Sequence, residues 1–332
     1  MKRRDFISFL ASAAVAAGPA KIRAQLPSQL KRIGALMPYF EHDAEVRMDL
    51  TAFSEKLQQL GWAQGQNLQL DVRWAGGNVA NLQSAAREFV ALSPSLLFAR
   101  STAATRALQR ESSSIPIVFV IVSDPVGDGF VASLAKPAGN ITGFTNVEAS
   151  LGGKWLEIIK EIAPQTTRVA IVFGPNAAAG GGRYYDQLIN AAAKSVGVKA
   201  VSMPVSNVSD VEKGLSSFAN EPNGALIVTP DATTTSYRQA IFAAAAVHRL
   251  PAVYPFGAFA REGGLISYGV DITQIFRQAA EYVDRILRGA NPADLPVQGP
   301  TKFELVVNAR AANTLGLSIP PTLLGSADEV IE

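Results

Sequence analysis

Residues 117–122 read IVFVIV, six apolar residues in a row with five of them β-branched. A strand apolar on both sides is the kind buried on both faces, as in the middle of a parallel sheet sandwiched by helices. Working outward from it, KRIGALM (31–37) reads as a first strand and residues 44–60 as a helix, with Val46, Leu50, Phe53, Leu57 and Leu60 on one face. A strand at 68–74, a helix at 79–92 and the strand SLLFA (95–99) complete a doubly wound unit.

The same order then recurs. RVAIVF (168–173) matches the first strand, 184–195 the first helix, 198–205 the second strand and 208–219 the second helix. ALIVT (225–229) matches SLLFA, and residues 250–254 echo 115–119. A strand at 264–270, a helix at 272–287, a Pro/Gly-rich stretch at 289–300, a strand at 302–307 and a short helix near 309–315 remain. Elements left over after two complete units predict a chain that crosses between them more than once. The expected fold is therefore α/β, with two doubly wound parallel-sheet lobes joined by a multi-crossover hinge. Lobe 1 is expected to hold residues 28–146 plus 270–292, and lobe 2 residues 147–269 plus 293–332.

The first 25 residues have a different character. Lys2, Arg3 and Arg4 precede an apolar run from Phe6 to Ala17, and Ile22-Arg23-Ala24 offers a small-residue cleavage site before Gln25. This is the layout of a cleaved export signal at 1–24, and the paired arginines point to the twin-arginine route. Removing it takes away five basic residues and one acidic, so the formal net charge falls from +2 to −2 over the remaining 308 residues. No basic field is left for nucleic acid or an anionic membrane surface. The chain has no cysteine, which excludes disulfides, thiol catalysis and thiolate metal sites. The expectation is a freely diffusing, monomeric periplasmic protein without cofactor, metal or membrane anchor.

In open α/β sheets, ligands bind beyond the carboxyl ends of the strands, where helix N-termini present free N–H groups. Those loops carry Tyr39, Ser101, Thr102 and Asp124 in the first unit, and Asn176, Asp231, Thr233, Tyr254 and Phe256 in the second. Ser101 and Thr102 are placed to hold a carboxylate or simply to cap a helix. Asp124 and Asp231 are placed to neutralise an ammonium or, again, to cap. Tyr39, Tyr254 and Phe256 offer flat apolar faces, or ordinary rim packing. Catalytic patterns are missing: there is no HExxH, no GxSxG and no P-loop lysine motif. His42 reads as a solvated loop residue and His248 as a helix-end residue. Gly180 to Gly182 reads as a flexible loop, and Asp128, Arg261 and Glu262 as turn and surface residues.

PIVFV (116–120), SDPV (123–126), Gly129 to Leu134, Pro137 and GNITG (139–143) form a run that resembles ABC-transporter substrate-binding proteins of the tryptophan/aromatic amino-acid type. The C-terminal segments KFELVVN (302–308), LGL (315–317), IPP (319–321) and ADEVI (327–331) are similar to the same family, as is the start of the chain. The resemblance implies a type 1 periplasmic binding fold with three crossovers, a small solute held between lobes, and docking on an ABC permease with its ATPase. It implies a binding role and no enzymatic one, and it points to the Ser101-Thr102, Asp124, Asn176, Asp231 and Tyr254-Phe256 loops as the ones around the ligand. Arg100 departs from the family's usual small residue, and is placed either to favour a more anionic ligand or to reach solvent. A sensor module of the same fold serving a membrane receptor is the alternative role, and an exported α/β enzyme a more distant one.

Overall fold

Residues 117–122 form a strand with all six residues buried, paired in parallel with a strand on each side. It belongs to a computed structural model that describes residues 30–332. The export signal read at 1–24 lies outside the described residues.

The first unit runs β1 (Lys31–Met37), α1 (Ala44–Gln59), β2 (Leu68–Trp74), α2 (Val79–Ala91), β3 (Leu96–Arg100), α3 (Thr102–Glu111), β4 (Ile117–Val122) and β5 (Ile141–Thr145). Its sheet is wholly parallel, in the order β2-β1-β3-β4-β5. The central strands are apolar on both faces because α2 and α3 cover one side and α1 the other.

The second unit runs α4 (Leu151–Ile162), β6 (Arg168–Phe173), α5 (Arg183–Ala193), β7 (Lys199–Pro204), α6 (Val208–Ala219), β8 (Gly224–Val228), α7 (Ala232–Ser236), α8 (Arg238–Val247), β9 (Ala252–Tyr254), α9 (Gly257–Arg261) and β10 (Ile266–Val270). Its order β7-β6-β8-β9-β10 repeats that of the first sheet strand for strand. The repeat seen in the apolar pattern is thus a repeat of topology.

The connections explain the surplus elements. After β5 the chain enters α4, which packs with α5 in the second unit. After β10 it returns as α10 (Ile272–Leu287), whose Phe276 meets Phe53 and Phe98 of the first unit at ring distances of 6.4 and 5.5 Å. Residues 295–298 then run beside β5: Thr142 Oγ1 donates to the Leu295 carbonyl at 2.6 Å and Thr145 N to the Gln298 carbonyl at 2.9 Å. Only beyond this does the chain cross again to β11 (Phe303–Asn308), antiparallel to β10, followed by α11 (Ala309–Leu315), α12 (Pro321–Ser326) and β12 (Glu329–Ile331). The chain thus crosses three times, and residues 295–298 run beside β5 through those bonds.

Two further readings change. Residues 179–182 form a 3₁₀ turn in which Gly180, Gly181 and Gly182 all take positive φ, so the glycines shape an ordered bend. Asp128 is no surface residue: its side chain is only 3% exposed and receives Arg106 Nη2 at 2.7 Å and the Gly180 N–H at 3.1 Å.

Candidate functional site

The strand ends decide where the site lies. Tyr39, Ala177 and Ala232, which follow β1, β6 and β8, are buried against one another, so the carboxyl ends of the two sheets meet. Other contacts cross the same seam. Ser123 Oγ lies 2.7 Å from the Tyr185 hydroxyl, and Arg238 Nη1 lies 3.0 Å from Asp43 Oδ2. Beside the seam opens a cleft of about 300 Å³, at the small end of the roughly 300–1,000 Å³ usual for small-molecule sites. Its walls come from the start of α1 and the end of β3, from α8 and the loop around α9, and from the crossing segment at 270–273.

Of the nine residues named from strand-end position, only Phe256 lines this cleft. Tyr39 stands just behind it, buried, with its ring 4.8 Å from the Arg100 guanidinium. Ser101 and Thr102 are buried at the start of α3, where the Ser101 hydroxyl accepts from Ala104 N at 3.3 Å. Ser101 holds φ at 95°, a conformation that costs a non-glycine residue on the order of 1–3 kcal/mol and that gathers at functional sites. Asp124 closes its own turn, accepting from Gly127 N at 2.8 Å, and Asn176 is exposed. Tyr254 packs into the core against Phe242 and Phe259 and does not line the cleft.

Asp231 is buried and fully engaged. One oxygen accepts from Thr233 N and Thr234 N, the other from Gly174 N and Thr229 Oγ1, all within 3.0 Å. With Thr234 it makes a capping box for α7 and ties the loops after β6 and β8 together. Burial pushes its carboxyl up to about 6 in spite of those donors. Thr233, half-buried, begins the same turn.

The cleft is instead lined by charge. Arg100 is 3% exposed and neither reaches solvent nor stands free. Its Nη1 lies 2.9 Å from Asp49 Oδ2, and its guanidinium is flanked by the rings of Tyr39 and Phe276. Nε and Nη1 nevertheless make no well-directed hydrogen bond. Asp49 is held by Thr273 Oγ1 at 2.9 Å on its other oxygen, and burial raises its pKa against the pull of Arg100. Arg238 takes Glu262 through two nitrogens, at 2.6 and 3.1 Å, while also reaching Asp43. Arg261 holds Glu304 and Glu329 at 3.5 and 2.8 Å. Arg261 and Glu262 are therefore cleft residues, because the short helix α9 ends there. Asp49 had one legible signal: it interrupts the apolar face of α1 between Val46 and Phe53, where a buried acid requires a buried partner.

Comparison with known proteins gives this geometry a family. A family profile described as "ABC transporter substrate binding protein" matches residues 35–331. The chain belongs to that family. A tyrosine-binding protein of Clostridioides difficile (strain R20291) is 26% identical over 265 residues, covering 80% of this chain and 75% of that protein. An ABC domain from Streptococcus pneumoniae in complex with L-Trp superposes with a TM-score of 0.84 at 22% identity, over 91% of this chain and all of that one. The ligand-free, open structure of CD0873, a substrate binding protein with adhesive properties from Clostridium difficile, gives 0.66 at 25% identity, over 91% and 99%. This substrate-binding protein accordingly has the two-sheet α/β fold of solute-binding proteins, and it is a binding protein, not an enzyme.

Proposed function

We propose that this substrate-binding protein is the periplasmic receptor of an ABC importer, capturing a small amphiphilic, amino-acid-like or aromatic solute between its lobes and presenting it to a permease. The observation that carries the reading is the 300 Å³ cleft, walled by both units and by a segment that crosses between them. A ligand seated there touches both units at once, so its binding energy favours the arrangement in which they meet. The seam contacts and the lower TM-score against an open, ligand-free structure support reading the described arrangement as the closed one. Three crossings form the hinge.

Phe256 lines the cleft, and Arg100, against which Tyr39 stacks, is added as a lining residue from the end of β3. Among the described residues no helix is long and apolar enough to cross a membrane, and export through the twin-arginine route completes the proposal. A thermal-shift screen of the purified protein against amino acids, aromatic acids, ureas and polyols is expected to single out one chemical class. A ligand at about 100 times its Kd adds on the order of 2.7 kcal/mol of stability. A flat screen, or turnover of a metabolite, would contradict the receptor reading.

A further inference from the structure

The cleft contains more acid than its arginines neutralise. Asp43 and Glu262 share Arg238, Asp49 holds Arg100, and Glu304 holds Arg261. Two lining acids remain, Glu45 and Asp271. Asp271 caps α10 through Gln274 N at 3.0 Å and has Lys302 at 3.7 Å. Glu45, half-buried in the first turn of α1, has no ion-pair or hydrogen-bond partner among the described residues. It faces Asp43 and Asp49 on its own helix and Arg261 and Glu262 across the cleft, and burial with Asp49 holds its carboxyl above the ordinary range. The fourth lining arginine, Arg277, is exposed.

A second observation comes from the end of β3, which meets α1 one turn beyond Glu45 through the Arg100–Asp49 pair. Arg100 is buried at the cleft with Nε lacking any hydrogen-bond partner, although a buried guanidinium normally spends its donors. The same cleft is thus lined by an under-bonded guanidinium and, one turn earlier on α1, by a carboxylate with no direct partner among the described residues. Phe256 and Val46 supply apolar wall between the charges.

We infer that the cleft selects a solute of net positive charge, with a protonated nitrogen held by Glu45 and an acceptor oxygen, such as a carboxylate or carbonyl, taken by Arg100. The inference rests on the receptor reading and narrows it. Basic amino acids such as L-lysine and L-arginine fit, since each carries a carboxylate and two cationic groups. Neutral polyols fit poorly, because they leave Glu45 without a counter-charge, and amino acids with neutral side chains offset less of the acid. Asp49 cannot take Glu45's role: its two oxygens already hold Arg100 and Thr273.

Isothermal titration of the wild type with L-lysine, L-arginine, L-tyrosine, L-tryptophan and myo-inositol is the test, repeated on Glu45→Gln. The basic amino acids are expected to bind at least about tenfold more tightly than the others, and Glu45→Gln to weaken them by about ten- to a hundredfold. The variant's ligand-free melting temperature should match the wild type, because Glu45 holds no partner within the fold. Tight binding of tyrosine or tryptophan with weak binding of lysine and arginine would overturn the inference and leave the receptor reading standing. Equal lysine affinity in wild type and Glu45→Gln would also overturn it, and silence from all five probes would count against both readings.

Discussion

Asp231 shows how one position admits two roles until its neighbours are known. Its place at a strand end marks it for a ligand ammonium, yet four donors from two loops fill both of its oxygens. Burial still outweighs those donors and lifts its pKa from 3.8 to about 6. A carboxyl whose pKa is higher folded than unfolded binds its proton more tightly in the fold. Its stabilising effect is complete below the unfolded value and fades as pH rises through the folded one. Between about pH 4 and 6 the wild type should therefore lose on the order of 2–3 kcal/mol from this group. Urea denaturation across that range, compared with Asp231→Asn, isolates it: the variant's slope should be flatter. Equal slopes would show that Asp231 keeps an ordinary pKa. Asp231→Ala is expected to cost about 2–4 kcal/mol at neutral pH, since it removes a cap and strands buried donors.

At the scale of elements, the legible parts were those whose apolar pattern is continuous. The strand 117–122 is buried at every residue and could pair only in the interior of a sheet. The echo between the two halves, read from pattern alone, foretold matching sheet orders. What stayed hidden was short or interrupted: β5 is ITGFT, with a glycine at its centre, and β12 has three residues after a turn. Both fifth strands carry a glycine for the same steric reason. A Cβ on Gly143 would lie 2.1 Å from the Phe119 carbonyl oxygen, and one on Gly269 1.7 Å from that of Pro255. The fifth strand thus packs backbone to backbone on its neighbour, and in the second unit this holds the Pro255-Phe256 loop at the cleft. Gly269→Ala should force that loop aside, lowering stability by about 1–3 kcal/mol or more and weakening ligand binding. Calorimetric melting and titration on one sample check both effects, and an alanine tolerated without change would mean that the loop yields freely. The charged cleft was illegible for a related reason. Glu45 and Arg100 come from distant segments of the first unit and Arg238 and Glu262 from distant segments of the second, and only the meeting of the two units brings the two pairs into one cleft.

For the whole molecule, the receptor role proposed above requires an open and a closed arrangement, and the contacts across the seam are what would set the balance between them. Packing of Tyr39 against Ala177 and Ala232 is apolar, and the Asp128 contact to Gly180 is one hydrogen bond, donated by the Gly180 N–H to the Asp128 carboxylate. The Asp43–Arg238 pair is the one ion pair among the described residues that spans the seam between the two units, 3.0 Å long with side chains 9% and 17% exposed. Partial burial protects it from the screening that makes surface pairs nearly worthless. Arg238 keeps its two bonds to Glu262 whether or not the units touch, so its guanidinium stays in position and closure adds only the Asp43 contact. Asp43→Asn removes the charge while keeping a good N-cap for α1. A loss of about 1–2 kcal/mol specific to the closed arrangement would shift the open population by roughly five- to thirtyfold. Small-angle scattering of ligand-free Asp43→Asn should then give a larger radius of gyration than wild type, with saturating ligand restoring the compact value. Affinity should fall by the factor through which the closed state was depopulated. If radius and affinity both match the wild type, the pair does not govern closure, and apolar packing at Tyr39 must hold the units together instead.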